Sequence, residues 1–465
     1  MTHSTEGDVI YAEFFTQPTI IISSVKAAYD LMEKRGAKYS NRPRFVRNIE
    51  LIGWTGNIAF RQYDDGWRRH RKLLNKEALV ARAAVDSYHP LQLREARRLL
   101  HNLLKSPDDF MSHLKQCVYT ASMIFEMGYG RTISSLNGDA FIRLVEDGIV
   151  ATFGGSGFGS ATVDFFPFLK YIPTWMPGAG FKRAALTARD AIAATEDLPY
   201  QAVKMDMAPG IAKPLFTTGM IEDCSKNGTP TTEDEREIKG AAGTLYAGGR
   251  AVDADVRMII FVLVMVQYPN IFAKAQEEVL SVVGDTRLPT FEDRKSLPYL
   301  ESIIREVYRW CPAAPTGIPH QAAEADVYRG YYIPKGSMII PNIWAMLRDP
   351  EMYPEPAELF KPERFLGMGP DKELDMRDPK RIIFGFGRRS VAWRQFFADD
   401  NLWLAAVSIV ATMQIRKARN ANGEEIMPAP KLHSGAVIHP DSFSCSIRPR
   451  SEKSRQLVID CFSEI

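Results

Sequence analysis

Apolar and polar positions alternate over residues 9–24, where VIYAEFF and TIIISS read as two short strands on either side of a Gln-Pro turn. From Val25 to Arg35 the spacing lengthens to that of an amphipathic helix, closed by Gly36. Asn41-Arg-Pro-Arg44 opens a loop that runs through Gly53 and Gly56. Helical spacing returns at Trp67-Arg-Arg-His-Arg-Lys-Leu-Leu74, which sets Trp67 and Arg71 on one face while Arg68 and Lys72 project to a side. Taken alone, that stretch is equally a solvated basic face with a Trp anchor and a functional site. Residues 88–130 and 139–153 carry helical patterns, broken by GGSGFGS at 154–160. The next segment, VDFFPFLKYIPTWMPGAGF (163–181), is aromatic, rich in proline and poor in charge. Its prolines prevent a regular buried helix, so surface contact with a membrane is the expectation, with packed core as the other reading.

A helix over Lys182–Met207 and a polar loop over Cys224–Glu235 close the first half. Ile238–Val283 is the most hydrophobic long segment and contains GAAGTLYAGG at 240–249, whose small residues admit either a flat ligand or a neighbouring helix. A polar lead and a helix ended by Pro312 follow at 291–312. Residues 313–365 alternate turns and strands, with the Pro-Lys-Gly of YYIPKGSMIIP read as a hairpin turn. Ile382, Ile383 and Phe384 form a β-prone run into Gly385 and Gly387, glycines that let the backbone turn sharply and approach a flat ligand. A helix to about Lys417 and two final strands, Gly435–His439 and Ser442–Arg448, complete the pattern. Without repeat or low-complexity linker, residues 1–465 read as one large domain, mainly α with small β-sheets (α+β).

Composition narrows the function. A chain of 465 residues with 45% hydrophobic residues can bury a large core, and a net charge of +2 argues against a nucleic-acid binder. Five scattered cysteines, Cys117, Cys224, Cys311, Cys445 and Cys461, suit a reducing compartment rather than a disulfide framework or a zinc site. Residues 1–9 are mostly polar, and the longest apolar runs, Met258–Val266 and Leu402–Val407, fall well short of the ~20 residues a bilayer needs. The expectation is a chain without a membrane anchor, cytoplasmic or peripheral on the membrane.

The chemistry lies in spaced motifs. Phe384, Gly387 and Arg389 fall on the pattern F-x-x-G-x-R-x-C-x-G, and Arg388 and Arg389 are planar cations suited to a carboxylate. Glu306-Val-Tyr-Arg309 has E-x-x-R spacing, which Glu95–Arg98 and Glu233–Arg236 share. Context separates it: Trp310-Cys-Pro312 follows at once, and Phe360-Lys-Pro-Glu-Arg-Phe365 about fifty residues on. Together these motifs resemble the cytochrome P-450 family, of the fungal microsomal type, and the likeness extends through Trp67 and Arg71 (W-x-x-x-R), His320, Asn342-Ile-Trp-Ala and Arg348-Asp-Pro350. The resemblance implies a cytochrome P-450 fold. It also implies heme held by Trp67, Arg71, His320, Phe384, Gly387 and Arg389, and a structural triad of Glu306, Arg309 and Arg364. The implied activity is insertion of one oxygen atom from O2 into an apolar organic substrate, a lipid, terpenoid or aromatic secondary metabolite. Electrons would come from NADPH through NADPH-cytochrome P-450 reductase. Ala247, Gly248, Pro315, Thr316, Ala436 and Val437 would line the substrate pocket.

Three departures qualify the likeness. The family's N-terminal anchor and Pro-rich hinge have no counterpart. Ala247-Gly248-Gly249-Arg250-Ala251-Val252-Asp253 keeps the glycines of the oxygen-activating motif A-G-x-D/E-T-T but lacks its Thr, leaving Asp253, or Asp255, as the stand-in acid. Val391 stands where the iron-binding cysteine belongs and Trp393 where the second glycine belongs. Segments 250–257 and 390–397 also run about one residue longer than the family pattern between intact motifs, as displaced exon boundaries would produce. A valine has no lone pair for iron, so the alternative reading is an inactive relative that binds heme weakly or only an apolar ligand. The remaining reading is an interaction protein using its basic helix.

Overall fold

The computed structural model describes residues 7–77, 88–115, 118–130, 148, 152, 161–212, 216–226, 228–251, 254–368, 376–390, 392–433 and 435–463. Its centre is made by the two apolar runs. Ala254–Gln267 is a helix buried at every residue from Val256 to Val266, and Ala392–Thr412 is a helix buried without interruption from Asp399 to its end. Helices with no polar face have to be enclosed, and His89–Lys105, Pro269–Val283 and Pro298–Trp310 pack around them. Ala254–Gln267 cannot run on into the next helix, because Pro269 opens a new one bent by 106°. Among the described residues no single helix is long and apolar enough to cross a membrane.

The chain is mostly helical with small sheets, as the pattern predicts. Strands Val9–Phe14 and Gln17–Ile22 pair antiparallel, and the second runs parallel to Met338–Pro341, which in turn pairs antiparallel with His320–Gln321. That pairing corrects one expectation: Tyr331–Ile333 and Met338–Pro341 are not joined as a hairpin across Pro-Lys-Gly. Tyr331–Ile333 folds back on Asp326–Tyr328 through Arg329-Gly330 instead, both with positive φ. Other corrections share a cause, in that a cap or a partner outweighs local propensity. The β-prone Ile382-Ile383 is helical (Pro379–Ile383), started by the Asp378 side chain and Pro379. The helix expected to reach Lys417 stops at Thr412, and Met413–Arg419 is a strand between Cys445–Pro449 and Glu425–Ile426. Of Gly435–His439 only His439 is in a strand, Ser442–Arg448 narrows to Cys445–Pro449, and a final helix, Glu452–Ser463, goes unread in the sequence. Val25–Arg35 starts as an α-helix but is wound more widely over Tyr29–Lys34. The pattern over 88–130 breaks at Ser106-Pro107, while residues 139–153 lie outside the described residues except for Gly148 and Thr152.

Beneath the site, ion pairs join four elements. Arg294 reaches Asp399 at 2.5 Å, Asp400 at 2.6 Å and Glu301 at 3.0 Å, and Lys380 bridges Glu301 at 2.6 Å and Asp399 at 2.9 Å. Tyr308 adds a hydroxyl donor to Asp399 at 3.1 Å. Every charge here has an opposite partner, the condition under which buried ions are tolerated.

The small residues of the central segment divide between packing and space. A Cβ at Gly240 would lie 2.6 Å from the Gly56 carbonyl oxygen, and one at Gly243 would lie 2.9 Å from Glu196 Cγ. At these two positions the glycines serve chain crossing rather than a ligand. Glu196 belongs to the Gly180–Met207 helix, and its Oε1 is buried without a hydrogen-bond partner among the described residues. Burial pushes its carboxyl from 4.5 up to about 7, with Asp197 adding to the shift and Lys239 opposing it. The raised acid keeps more protons in the folded than in the unfolded chain across that interval, so stability falls as pH rises from about 4.5 to about 7 and is flat above it. Glu196→Gln should flatten that slope and gain about 1–3 kcal/mol at pH 8, measured by urea unfolding at pH 5.5 and 8.

Candidate functional site

Four consecutive residues, Tyr39 to Arg42, hold together three separate arms of the chain. The Tyr39 carbonyl accepts from His320 Nδ1 at 2.7 Å, and the Ser40 carbonyl accepts from Arg389 Nε at 2.8 Å. Asn41 accepts at its side chain from the Tyr63 amide (3.0 Å) and at its carbonyl from the Gln321 amide (2.9 Å). The buried Arg42 donates to the carbonyls of Ala59, Ile318 and Pro319 at 2.8, 2.6 and 2.8 Å. The loop before the Trp67 helix, the strand bearing His320 and the glycine loop bearing Arg389 are thereby keyed to one segment. Local sequence reads 41–44 only as a loop. Arg42 is the functional residue it misses, since no spacing marks a buried arginine and only its position between Asn41 and Pro43 is unusual for a charge.

The helix Asp65–Glu77 is positioned by Asp64, whose carboxylate accepts from the Trp67 amide at 2.7 Å. Trp67 is buried, and its Nε1 has no hydrogen-bond partner among the described residues. Its ring carries the Arg389 guanidinium at 4.9 Å and meets Tyr63 at 5.0 Å, rather than stacking on Arg71. Arg71 instead donates to the Ser390 carbonyl at 2.6 Å. Arg389 spends its other donors on the carbonyls of Ile58 (2.9 Å) and Arg61 (2.7 Å).

The glycine loop is tighter than a ligand would demand. Gly387 has φ +60°, and a Cβ there would lie 2.0 Å from the Met32 carbonyl oxygen. Its amide donates to Glu33 at 2.6 Å. Gly387 is therefore required by the protein's own backbone. Phe384 is buried against Tyr308 at 6.1 Å, with Arg257 over its ring at 5.2 Å.

None of Arg42, Arg71 and Arg389 pairs with a carboxylate among the described residues. Burial drives each below the ordinary arginine range, Arg389 to about 9 despite Asp64 and Tyr63, with Arg71 pressing it further. His320 is held well below its usual value by burial and then by Arg42, and Arg389 adds to this. Arginine keeps its proton at neutral pH, so these shifts reflect the desolvation of three charged groups. His320 adds a constraint: a nitrogen facing a carbonyl must donate, so Nδ1 carries the proton and Nε2 keeps a lone pair while the ring is neutral.

The proposed triad is also brought together. Arg309 donates Nε and Nη2 to the two oxygens of Glu306 at 2.7 and 2.8 Å, both side chains fully buried. Arg309 also donates to the carbonyls of Leu347, Ala357 and Leu359, and the Lys361 amide donates to Glu306 at 2.8 Å. Arg364 lies 3.5 Å from Glu306 and donates to the carbonyls of Glu355 and Pro356.

Other expected residues scatter. Asp253 and Val391 lie outside the described residues, as do the side chains of Ala247, Gly248, Asp255 and Trp393. Ala436 packs with Phe45, Trp54 and Phe60, whereas Val437 belongs to the main core. Pro315 accepts from the Trp344 amide at 3.0 Å. Thr316 lines a half-open groove of about 1020 Å³ with Ile21, Ile340 and Trp344, on the face of the first sheet away from the Ile20–Ile22–Ile339 cluster.

A buried, unpartnered indole donor beside uncompensated arginines fits the carboxylates of heme. The axial position does not fit: residues 381–403 contain no cysteine, and Val391 has no donor atom. Comparison with known proteins decides the family. The family model described as Cytochrome P450 matches residues 1–390, ending one residue before Val391. Cytochrome P450 monooxygenase 176 of Postia placenta is 43% identical over 97% of this chain and 85% of its own length. The chain belongs to the cytochrome P450 family. Further P450 relatives include the monooxygenases claR of Ampulloclitocybe clavipes, 39% identical over 95% of this chain and 80% of its own length, and ple1 of Rhodocybe pseudopiperita, 35% identical over 98% and 85%. The family brings heme as cofactor, an electron-donating reductase and oxygen insertion as activity.

Glu306 tests the framework of this P450 protein. Glu306→Ala should cost about 3–5 kcal/mol by leaving Arg309 buried without its counter-charge. Chemical unfolding would measure it, and an unchanged midpoint would remove the ion pair from the list of structural anchors.

Proposed function

We propose that this chain is a P450 monooxygenase scaffold in which Trp67, Arg71, His320 and Arg389 seat the heme carboxylates and the substrate is a small apolar compound. The observation that carries the reading is the buried Trp67 Nε1 without a hydrogen-bond partner, next to arginines without a carboxylate, among the described residues. Each residue has a role that follows from its contacts. Trp67 offers an indole donor, and Arg71 reaches the same region from one helical turn on while its Nη2 fixes Ser390. Arg389 works mainly by charge, because its Nε and both terminal nitrogens are already hydrogen-bonded to carbonyls. His320 would donate through Nε2 only when doubly protonated, a form that burial and Arg42 oppose and that a neighbouring heme carboxylate would favour. Bound heme would supply the oxygen chemistry, drawing two electrons from NADPH through a reductase. The resemblance would gather Ala247, Gly248, Pro315, Thr316, Ala436 and Val437 about an apolar pocket suited to a lipid, terpenoid or aromatic compound, whereas the fold sets Thr316, Ala436 and Val437 in three different surroundings, so the substrate class rests on the family alone. Asp253 would stand in for the acid of the oxygen-activating motif.

Two surfaces support the partners. Arg68, Arg69, Lys72 and Arg388 are exposed on one side of the site, a basic face complementary to an acidic reductase. Phe168, Tyr171 and Trp175 are exposed by 65, 75 and 77%, and Phe15 meets Phe165 tilted at 5.4 Å and Phe166 edge-on at 4.8 Å. With Phe14 and Met176 they form an apolar cap that would dip into a bilayer surface without spanning it.

A second reading is favoured by Val391. The chain as written would then hold heme through its carboxylates, without a sulfur ligand and without turnover. The reduced carbon monoxide spectrum separates the readings. Hemin should bind the purified chain, and binding should weaken for Arg71→Ala. The reduced carbon monoxide complex should lack the red-shifted band of a thiolate ligand, and a normal thiolate band would refute the ligand argument. The apolar cap has its own test: the protein should float with phosphatidylcholine vesicles and be released by carbonate at high pH, and Phe168→Asp with Trp175→Asp should abolish flotation. Flotation unchanged by the pair would remove the cap from membrane contact.

A further inference from the structure

The Thr232–Ala251 helix sends one carboxylate across to the opposite side of the site. Glu237 is nearly buried, and its Oε2 accepts from Arg61 Nη1 at 2.6 Å while His70 Nδ1 lies 3.0 Å from the same oxygen. An ionised carboxylate only accepts, so Nδ1 is the donor. His70 is wholly enclosed, and its Nε2 has no partner among the described residues. The two partners of that single oxygen lead to the same place. The Arg61 carbonyl accepts from Arg389 at 2.7 Å, and the residue after His70, Arg71, donates to the Ser390 carbonyl at 2.6 Å. Both arms of a clamp on residues 389–390 thus originate at Glu237, and those residues immediately precede the axial position at 391. Burial opposes ionisation of Glu237, yet hydrogen bonds from His70 and Arg61 outweigh it and hold the carboxyl at about 2, so the clamp is charged at neutral pH.

We propose that Glu237 is a positioning residue for the cofactor, setting from the central helix the placement of Arg389 and Arg71 through Arg61 and His70. The inference rests on the heme reading above. It gives the Thr232–Ala251 helix a mechanical connection to the glycine loop that does not pass through the bound group. The connection is short, charge-assisted and screened from solvent, so removing the charge moves both arms at once.

The test measures hemin and hemin dimethyl ester affinities of the full chain by absorbance titration, with unfolding midpoints recorded in parallel. Glu237→Gln keeps the shape and should weaken hemin about tenfold, the size of loss expected when a charge-assisted contact is removed, while leaving the ester, which has no carboxylates, nearly unchanged. In an Arg71→Lys, Arg389→Lys background the loss should shrink to within about threefold, because residues acting through one another are not additive. Single arms report separately should Glu237→Gln fold poorly: the effect of Arg61→Lys should vanish with Arg389→Lys and not with Arg71→Lys, and His70→Gln should behave in the reverse way. Equal weakening of hemin and ester, or equal losses in both backgrounds, overturns the proposal and leaves the heme reading intact. A wild-type chain that binds neither compound overturns both.

Discussion

Positive charge enclosed without a carboxylate partner among the described residues is the constraint on which this site depends. Arg42 and Arg389 are desolvated beside His320, with Arg71 next to Arg389, and main-chain carbonyls hold all three guanidinium groups. Carbonyl dipoles fix the guanidinium groups in place but leave net charge, which costs stability wherever it is desolvated. The contrast with the neighbouring network is informative. Arg294 and Lys380 are equally enclosed but face Glu301, Asp399 and Asp400, and that region has no electrostatic use for a guest. Within one protein, enclosed charge is thus handled in two ways, by opposite charge in one region and by carbonyl dipoles in the other.

The same distinction explains what the sequence discloses. Elements set by their own periodicity are legible: the enclosed helices from their unbroken apolar runs, the first two strands from their alternation. Elements set by partners are not. Ile382-Ile383 has strand propensity and is helical because Asp378 caps it; Met413–Arg419 continues a helical pattern and is a strand because Cys445–Pro449 is there to pair with it. For the site, spaced motifs disclose Trp67, Arg71, Glu306, Arg309 and Arg389. They say nothing of Arg42 or Glu237, whose roles arise from contacts with residues more than a hundred positions away.

Resemblance and geometry give separate reasons for the same residue. Gly387 invites a ligand-based explanation, yet the atom it makes room for is the Met32 carbonyl oxygen. A glycine in a cofactor motif can thus be demanded by the scaffold that carries the motif. His320 behaves in the same way, since its obvious donor nitrogen is already spent on Tyr39.

Anchors lie on either side of the axial position. Upstream, Gly387 is locked against Met32 and Glu33, and Arg389 is tied to three carbonyls. Downstream, Asp399 and Asp400 are fixed by Arg294 and Lys380. The described residues between those ends are held as well: the Ser390 carbonyl accepts from Arg71, and Phe397 packs against Tyr88 and accepts from Gln92 at its carbonyl. Because Ala392–Thr412 is one helix, a single residue added or lost within its first turns would rotate everything before it by about 100° against Asp399 and Asp400, so the two anchors fix the count of residues between them as well as their own positions.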